Sequence, residues 1–275
     1  MTTTVTTTPT ALSITRDSGV TTVRLERPER ANALHRPLWD ELRTTFDELD
    51  ADPTTRVVVL TGAGKHFCAG IDLSMLGELQ GMVAGADPAR GREALRRTII
   101  YLQDCLTSVE RCRVPVLAAI RGACVGAGLD LATACDLRYA TPSTRFAIKE
   151  VDMGLAADVG VLQRLPHLIG EGSTRELAYT GREVRGEEAA TIGLTNGCVD
   201  DAGLDEHVGD LARSLAAKSP VAMRGTKHAI TYARDHSVAD SLDQIATWNA
   251  SMLLSTDVDD SVAAAREKRA ATYED

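Results

Sequence analysis

Positive charge is scarce in this 275-residue chain: 30 Lys and Arg residues stand against 39 Asp and Glu residues, which gives a net charge of −9. A chain this acidic lacks the broad positive field that binding of extended nucleic acid usually needs. One compact anionic ligand, held by a few local groups, remains compatible with it. The composition, with 44% hydrophobic and 25% charged residues, excludes a disordered, collagenous or disulfide-scaffold protein.

The sequence also lacks paired metal ligands. None of the six cysteines has CxxC spacing, and the six histidines form no HxxxH or HExxH pair. We therefore expect no metal site. Cys124 and Cys135 lie in apolar stretches, which predicts small, reduced cysteines in the core.

Long apolar runs and a leader peptide are missing as well. The longest strong apolar runs, 57–60 and 116–120, are too short to span a bilayer. The N-terminus has no basic and apolar leader, and the chain does not end in a peroxisomal address. These observations predict a cytosolic protein that makes no use of a membrane.

Three familiar motifs are incomplete. Gly62-Ala-Gly-Lys65 resembles the end of a phosphate-binding loop, but Val59 replaces the first Gly and His66 replaces the Ser or Thr. Gly126-Ala-Gly128 begins like a dinucleotide fingerprint, but Leu131 occupies the third Gly position. No GxSxG elbow of a hydrolase is present.

Strand and helix patterns alternate from residue 57 to about 200, which predicts an α/β protein. The glycines between residues 77 and 91 predict a mobile surface loop there. After residue 203 only helical patterns follow. We accordingly predict a flexible tail (1–12), a core with the active site (13–202) and a C-terminal helical region (203–275). The predicted strands cover 20–25, 57–61, 116–121 and 137–140, and the predicted helices cover 36–50, 93–110 and 261–271, with two more marked by Leu204 to Leu215 and by Val238 to Met252.

Two glycine-rich turns follow buried strands, at 65–73 and at 122–131. Each places small residues where a backbone must approach something closely, and each leads into a predicted helix whose first N–H groups have no internal partner. One such N–H from each turn could bind a carbonyl oxygen that gains negative charge. For either turn alone, tight packing of a helix on a sheet is the better explanation.

Acidic residues lie among small apolar residues in the segment 146–160. Glu150, Asp152 and Asp158 are accompanied there by Gly154, by alanines and by Gly160. Such surroundings desolvate a carboxylate and raise its pKa toward values useful in general acid–base catalysis. A single acid of this kind is more often simply solvated.

Taken together, the two turns resemble the paired signatures of the enoyl-CoA hydratase/isomerase (crotonase) superfamily, over nearly the whole chain. The segment 149–160, Arg234-Asp-His-Ser237 and 246–252 are further similar to Δ3,5-Δ2,4-dienoyl-CoA isomerases. The resemblance implies a crotonase-like α/β fold, a ββα superhelix with a C-terminal helical oligomerisation region. It also implies a homo-oligomer, a trimer or a hexamer of two trimers. Leu242, Ile245, Trp248 and Met252 form the predicted contact surface, with packing inside one subunit as the alternative.

The resemblance also implies residue roles. The N–H groups of Ile71 and Ala127 would form an oxyanion hole for the thioester oxygen of an acyl-CoA. Asp158 would take a proton from C2, Glu150 would deliver one to C6, and Asp130, beside a helix start that favours its ionised form, would orient or polarise the site. Ala127 departs from the glycine frequent in the family, but its N–H is retained. The expected substrate-binding residues are Ala69, Gly70, Asp72, Leu73 and Gly128.

The implied activity is isomerisation of a 3,5-dienoyl-CoA to a 2,4-dienoyl-CoA without metal, nicotinamide or flavin. A 2-enoyl-CoA hydratase is the nearest alternative, with Asp130 and Glu150 positioning a water. A non-catalytic RNA-binding or scaffolding homologue is a further alternative, which the net charge disfavours. Arg27, Lys65 and Lys227 could meet the CoA phosphates, although a solvated surface role suits each better.

Overall fold

The computed structural model describes residues 11–84 and 87–275 of the chain. Its strands are β1 (Leu12–Asp17), β2 (Val20–Leu25), β3 (Val57–Gly62), β4 (Val116–Ile120), β5 (Ala123–Val125), β6 (Leu137–Ala140), β7 (Arg145–Ala147), β8 (Val184–Arg185) and β9 (Gly197–Cys198). Its α-helices are α1 (Arg36–Ala51), α2 (Leu73–Ala84), α3 (Pro88–Arg111), α4 (Ala127–Ala134), α5 (Val161–Thr180), α6 (Gly186–Thr191), α7 (Leu204–Ala216), α8 (Pro220–Tyr232), α9 (Val238–Met252) and α10 (Thr256–Glu267).

The main sheet has six strands in the order β1-β2-β3-β4-β6-β9. The strand β1 runs antiparallel to β2, and all other neighbours are parallel, with Val58 opposite Val116 and Leu117 opposite Leu137. Val57 to Leu60 are all buried, as expected for a parallel strand that is covered on both faces. The predicted α/β class is therefore confirmed.

The two faces of β3 and β4 are covered by different layers. Val58 and Leu60 face the larger core, together with the apolar sides of α1 and α3. The alternate residues face α7 in a second, smaller cluster, because successive side chains of a strand point to opposite faces. That cluster consists of Val57, Val59, Leu117, Ala119, Leu204, Val208, Ala212 and Ala216.

A second sheet of three strands, in the order β5-β7-β8, continues from the carboxyl end of the main sheet. The strand β5 pairs in parallel with β7, with Cys124 opposite Phe146, and β7 leads directly into the segment around Glu150. The Gly126 N–H donates to the Ala147 carbonyl at 2.9 Å. This sheet thereby brings the second glycine-rich turn close to the acidic segment.

The predicted mobile loop over 77–91 is wrong, because most of this stretch is helical. Residues 73–84 form α2, and α3 starts at Pro88, while residues 85–86 lie outside the described residues. Asp87 caps α3, with its side chain accepting from the N–H groups of Ala89 and Arg90 at 3.1 and 3.2 Å. Gly77 lies in α2 where a Cβ would meet nothing within 4 Å, so the glycines lower helix propensity without preventing the helix.

In the described residues after 203, the structure has helices and no strand, as predicted. The helix α8 was not anticipated, and the last helix, α10, starts five residues before the predicted 261. The helix α10 ends at Glu267, and the residue that caps it, Lys268, has a left-handed φ of 53°. Residues 1–10 of the predicted tail lie outside the described residues, and the division at 12 and 203 stays a prediction. No helix of the described residues has the length and apolarity needed to cross a membrane.

Candidate active site

The two glycine-rich turns lie side by side and are joined by backbone hydrogen bonds. The Phe67 N–H donates to the Arg121 carbonyl at 2.8 Å, and the Cys68 N–H donates to the Ala123 carbonyl at 2.9 Å. The Val125 N–H returns a bond to the Cys68 carbonyl at 3.1 Å. Because β3 and β4 are parallel neighbours, the segments that follow them meet at the same edge of the sheet.

Glycine is required where the turns touch. A Cβ at Gly128 would lie 2.3 Å from the Cys68 carbonyl oxygen, closer than any real contact. Gly70, with φ of +99°, would place a Cβ 2.8 Å from the Val125 carbonyl oxygen and 3.5 Å from the Ala127 nitrogen. The small residues therefore serve close backbone approach, as the sequence indicated.

The structure leaves the two predicted donors available. Ala127 is the first residue of α4, and Ile71 lies just before α2. Within residues 11–84 and 87–275, neither of these N–H groups donates to a protein acceptor. The backbone around Ile71 is fixed by its neighbours, since the Asp72 N–H donates to the Leu34 carbonyl and the Leu34 N–H to that of Gly70. A backbone N–H on each turn that has no partner among the described residues is free to bind an oxygen atom of a ligand.

Asp130 lies in the first turn of α4 and is fully buried. Its Oδ1 accepts from the Val161 N–H at 2.5 Å, while its Oδ2 has no partner among the described residues. Burial raises the pKa of Asp130 to about 7, although the Val161 N–H opposes this rise, and the charges of Glu150 and Asp158 add to it. Desolvation therefore outweighs the effect expected from the helix start, and the net shift favours the protonated form of Asp130.

Glu150 and Asp158 are brought close to Asp130 and to the turns. Glu150 Oε1 would lie 3.1 Å from a Cβ at Gly126, and Glu150 Oε2 is buried without a partner in the described chain. Desolvation raises the pKa of Glu150, and the charge of Asp158 raises it further. Desolvation also raises the pKa of Asp158, which stays partly open to solvent. All three acids thus interact electrostatically.

The remaining predicted substrate-binding residues line the first turn, apart from Gly128 in the second. Ala69 and Leu73 are exposed, with 70% of Leu73 open to solvent. Asp72 is instead held by Arg27, whose two terminal nitrogens donate to Asp72 Oδ2 at 3.1 Å. The Ser74 N–H and hydroxyl also donate to Asp72, so its pKa is lowered. Its carboxylate is therefore occupied in fixing the start of α2.

Two of the three cations considered for the CoA phosphates are not solvated. The Arg27 side chain is 16% exposed and pairs with Asp72. The Lys227 side chain is 9% exposed and donates to Asp136 at 2.7 Å and to the Val114 carbonyl at 3.0 Å. The solvated role predicted for these two is wrong, because each ties separate parts of the chain together. Lys65 is exposed, as predicted.

Sequence reasoning missed the groups that support Asp158. Gln103 on α3 donates to the Asp158 carbonyl oxygen at 2.7 Å. Glu110, about two turns after Gln103 in α3, accepts from Arg164 Nε and Nη2 at 3.2 and 3.0 Å and also from Arg234. The only available signal was a polar stripe on an otherwise amphipathic helix, which a solvated face explains equally well.

Known proteins show extensive similarity to this chain. A family model described as enoyl-CoA hydratase/isomerase matches residues 15–275. The chain is 43% identical to the peroxisomal Delta(3,5)-Delta(2,4)-dienoyl-CoA isomerase of Arabidopsis thaliana, over 92% of either chain. It is 48% identical to the mitochondrial Delta(3,5)-Delta(2,4)-dienoyl-CoA isomerase of Mus musculus, over 90% of this chain and 76% of that protein.

Among solved structures, the enoyl-CoA hydratase from Bacillus anthracis superposes with a TM-score of 0.87 at 32% identity, covering 96% of this chain and 99% of that one. This likeness confirms the expected crotonase-like fold. The expected cytosolic location is wrong, because the two relatives above are named as peroxisomal and mitochondrial proteins.

Proposed function

The chain belongs to the enoyl-CoA hydratase/isomerase family, and we propose that it converts a 3,5-dienoyl-CoA into the conjugated 2,4-dienoyl-CoA. The observation that carries this proposal is the convergence of Asp130, Glu150 and Asp158 beside two unpartnered N–H groups. Both curated relatives described above are named for this reaction.

The N–H groups of Ile71 and Ala127 form the oxyanion hole in this proposal. They hold the thioester oxygen and stabilise the negative charge that develops when C2 loses a proton. The resulting dienolate is delocalised to C6, and protonation there yields the 2,4-diene. Ala69, Gly70, Leu73 and Gly128 then flank the thioester, while Asp72 acts through the backbone it fixes.

Two carboxylates are needed because C2 and C6 are four bonds apart. Asp158 takes the C2 proton, and its raised pKa makes it a stronger base. Glu150 delivers the C6 proton, and its raised pKa helps it to keep that proton until it is needed. Asp130 polarises the site from its buried position. The chemistry needs no metal or redox cofactor, since it moves protons only.

Side-chain replacement tests the two roles. We expect Asp158→Asn and Glu150→Gln each to lower isomerisation at least ~100-fold, the usual scale for a lost acid or base. The assay follows the absorbance of the conjugated 2,4-dienoyl product. In D₂O, Glu150→Gln should still exchange the C2 protons, whereas Asp158→Asn should not.

Asp152→Asn is the matched control, because Asp152 is an exposed acid of the same segment that pairs with Lys149. It should retain wild-type activity. Wild-type rates in Asp158→Asn or Glu150→Gln would contradict the role given to that residue.

Hydration of a 2-enoyl-CoA is the second proposed activity, since the superposed Bacillus anthracis structure is named a hydratase. Asp130 and Glu150 would then position a water at the C2–C3 double bond. Purified protein supplied with each substrate in parallel separates the two activities. Hydration without growth of the dienoyl absorbance would favour the hydratase.

The proposed assembly is a homo-oligomer, a trimer or a hexamer, formed by the C-terminal helices. Leu242 on α9 is 63% exposed and Met252 is 41% exposed, and both lie on the predicted surface. Trp248 is partly covered within the subunit by Gly225 and by the ring of His228, whose centroid is 5.9 Å away. The exposed residues therefore carry the argument for a second copy.

A further inference from the structure

Asp158 lies in an irregular segment between Gly154 and Gly160, both of which have positive φ. The ends of this segment are fastened to the other two acids. The Leu155 N–H donates to the Glu150 carbonyl at 3.1 Å, and the Val161 N–H donates to Asp130 Oδ1 at 2.5 Å. The distance of Asp158 from its partners therefore depends on what holds the middle of the segment.

One hydrogen bond from outside reaches that middle. Gln103 Nε2 donates to the Asp158 carbonyl oxygen at 2.7 Å. In the part of the chain that the structure describes, no other element bonds to the backbone of residues 156–159. Among the described residues, the Asp158 carboxylate accepts a hydrogen bond only from its own backbone N–H. Ala157 and Val159, on either side of Asp158, pack into the core, and the Gln103 bond fixes the orientation of the Asp158 backbone between them.

Gln103 is itself well supported, since it lies in the 24-residue helix α3. One turn further along, Thr107 Oγ1 donates to the Gln103 carbonyl at 2.8 Å and accepts from Arg164 Nη2 at 3.1 Å. Arg164 belongs to α5, the helix that follows the Asp158 segment. Gln103 and Thr107 thus tie α3 to both the middle and the far end of this segment.

We propose that Gln103 is a positioning residue for Asp158, one that sets the place of its carboxylate by holding its backbone from α3. This inference rests on the proposed role of Asp158 as the base at C2. Gln103 takes no part in proton transfer, because its amide is occupied by the carbonyl. Its contribution is geometric, and a displacement of about 1 Å in a reacting group can cost up to ~100-fold in rate.

The test is Gln103→Met, which keeps a long side chain with good helix propensity but removes the donor. We expect kcat for 3,5-dienoyl-CoA isomerisation to fall about 10- to 100-fold while KM changes less than about 3-fold, since substrate binding does not involve Gln103. Exchange of the C2 protons in D₂O should fall in parallel. The melting temperature, measured alongside, should stay near that of the wild type.

Gln163→Met is the matched control. Gln163 is exposed in α5, lines the same cavity of about 380 Å³ as Gln103 and Asp158, and has no side-chain hydrogen bond among the described residues. Its activity should equal that of the wild type. If Gln103→Met shows wild-type kcat, or if the control loses as much activity, the inference is overturned.

The double variant with Asp158→Asn shows whether Gln103 acts through Asp158. We expect it to be no slower than Asp158→Asn alone, because the residue being positioned is already disabled. Losses that multiply would overturn the inference. An inactive wild type would instead overturn the proposed function, and the inference with it, so the two failures are distinguishable.

Discussion

The buried acid Asp130 makes the stability of this protein depend on pH in a predictable way. Burial raises its pKa from 3.8 to about 7 in the folded state. Between about pH 4 and pH 7 the folded protein therefore binds more protons at this site than the unfolded chain does. The contribution of Asp130 to stability falls as the pH rises through this window, and above pH 7 the full cost of burying the charge is present.

The change from pKa 3.8 to about 7 corresponds to roughly 4 kcal/mol at most, because one pKa unit is worth about 1.4 kcal/mol. Asparagine does not titrate, and its carbonyl can still accept from the Val161 N–H. As the pH rises from 4.5 to 8, the free energy of unfolding of Asp130→Asn should therefore increase by about 2 to 4 kcal/mol relative to that of the wild type. The charges of Glu150 and Asp158 contribute to the raised pKa of Asp130, so their repulsion is already part of this figure.

The assay is urea unfolding at a fixed protein concentration over this pH range, for both proteins in parallel. The informative quantity is how the difference in free energy of unfolding between Asp130→Asn and wild type changes with pH. The absolute difference is less informative, since the new amide has unpartnered donors whose cost is the same at every pH. Asp200→Asn, at an exposed acid, is the control and should show no such slope. A difference for Asp130→Asn that stays constant from pH 4.5 to pH 8 would refute the reasoning.

Two other perturbations have defined outcomes. Burial acts to raise the pKa of Glu110, but the hydrogen bond from Arg164 and the charges of Arg164 and Arg234 hold this pKa below its usual value. Because these ion pairs stabilise the folded protein, Glu110→Gln should lower the free energy of unfolding, measured with urea at pH 7, by about 1–3 kcal/mol. This loss should shrink as the pH falls below about 4, because protonation of Glu110 breaks the same ion pairs in the wild type. A loss that stays undiminished at low pH would contradict this reasoning. For the assembly, Leu242→Lys should shift the oligomer to smaller species in light scattering, and a monomeric wild type would contradict the proposed contact surface.

The sheet could be predicted from the sequence because each buried strand has a local signature. Val57 to Leu60 and Val116 to Ile120 are short, apolar and bounded by turn residues, and the structure places both at the centre of the main sheet. The stretch from 77 to 91 was misread because glycine lowers helix propensity by only about 1 kcal/mol, which burial of Met75 and the Asp87 cap can outweigh.

The site could be predicted only as far as the backbone requires particular residues. Gly70 and Gly128 are irreplaceable where two turns touch, so they leave a pattern that sequence reasoning can recognise. The interaction of Gln103 with the Asp158 carbonyl joins residues 55 positions apart. A backbone carbonyl accepts from any nearby donor, and such a contact leaves no pattern in the sequence.

The proposed reaction also constrains how the site must recover between turnovers. Each turnover leaves Asp158 protonated and Glu150 ionised, so one proton must leave the first carboxylate and one must reach the second. Asp158 lies in the wall of a cavity of about 380 Å³ and is partly open to solvent, which allows it to release its proton to water. The charge of Asp158 raises the pKa of Glu150, so each new ionisation of Asp158 favours protonation of Glu150. The charge that Asp158 regains on losing its proton to water therefore helps to return Glu150 to its protonated starting state.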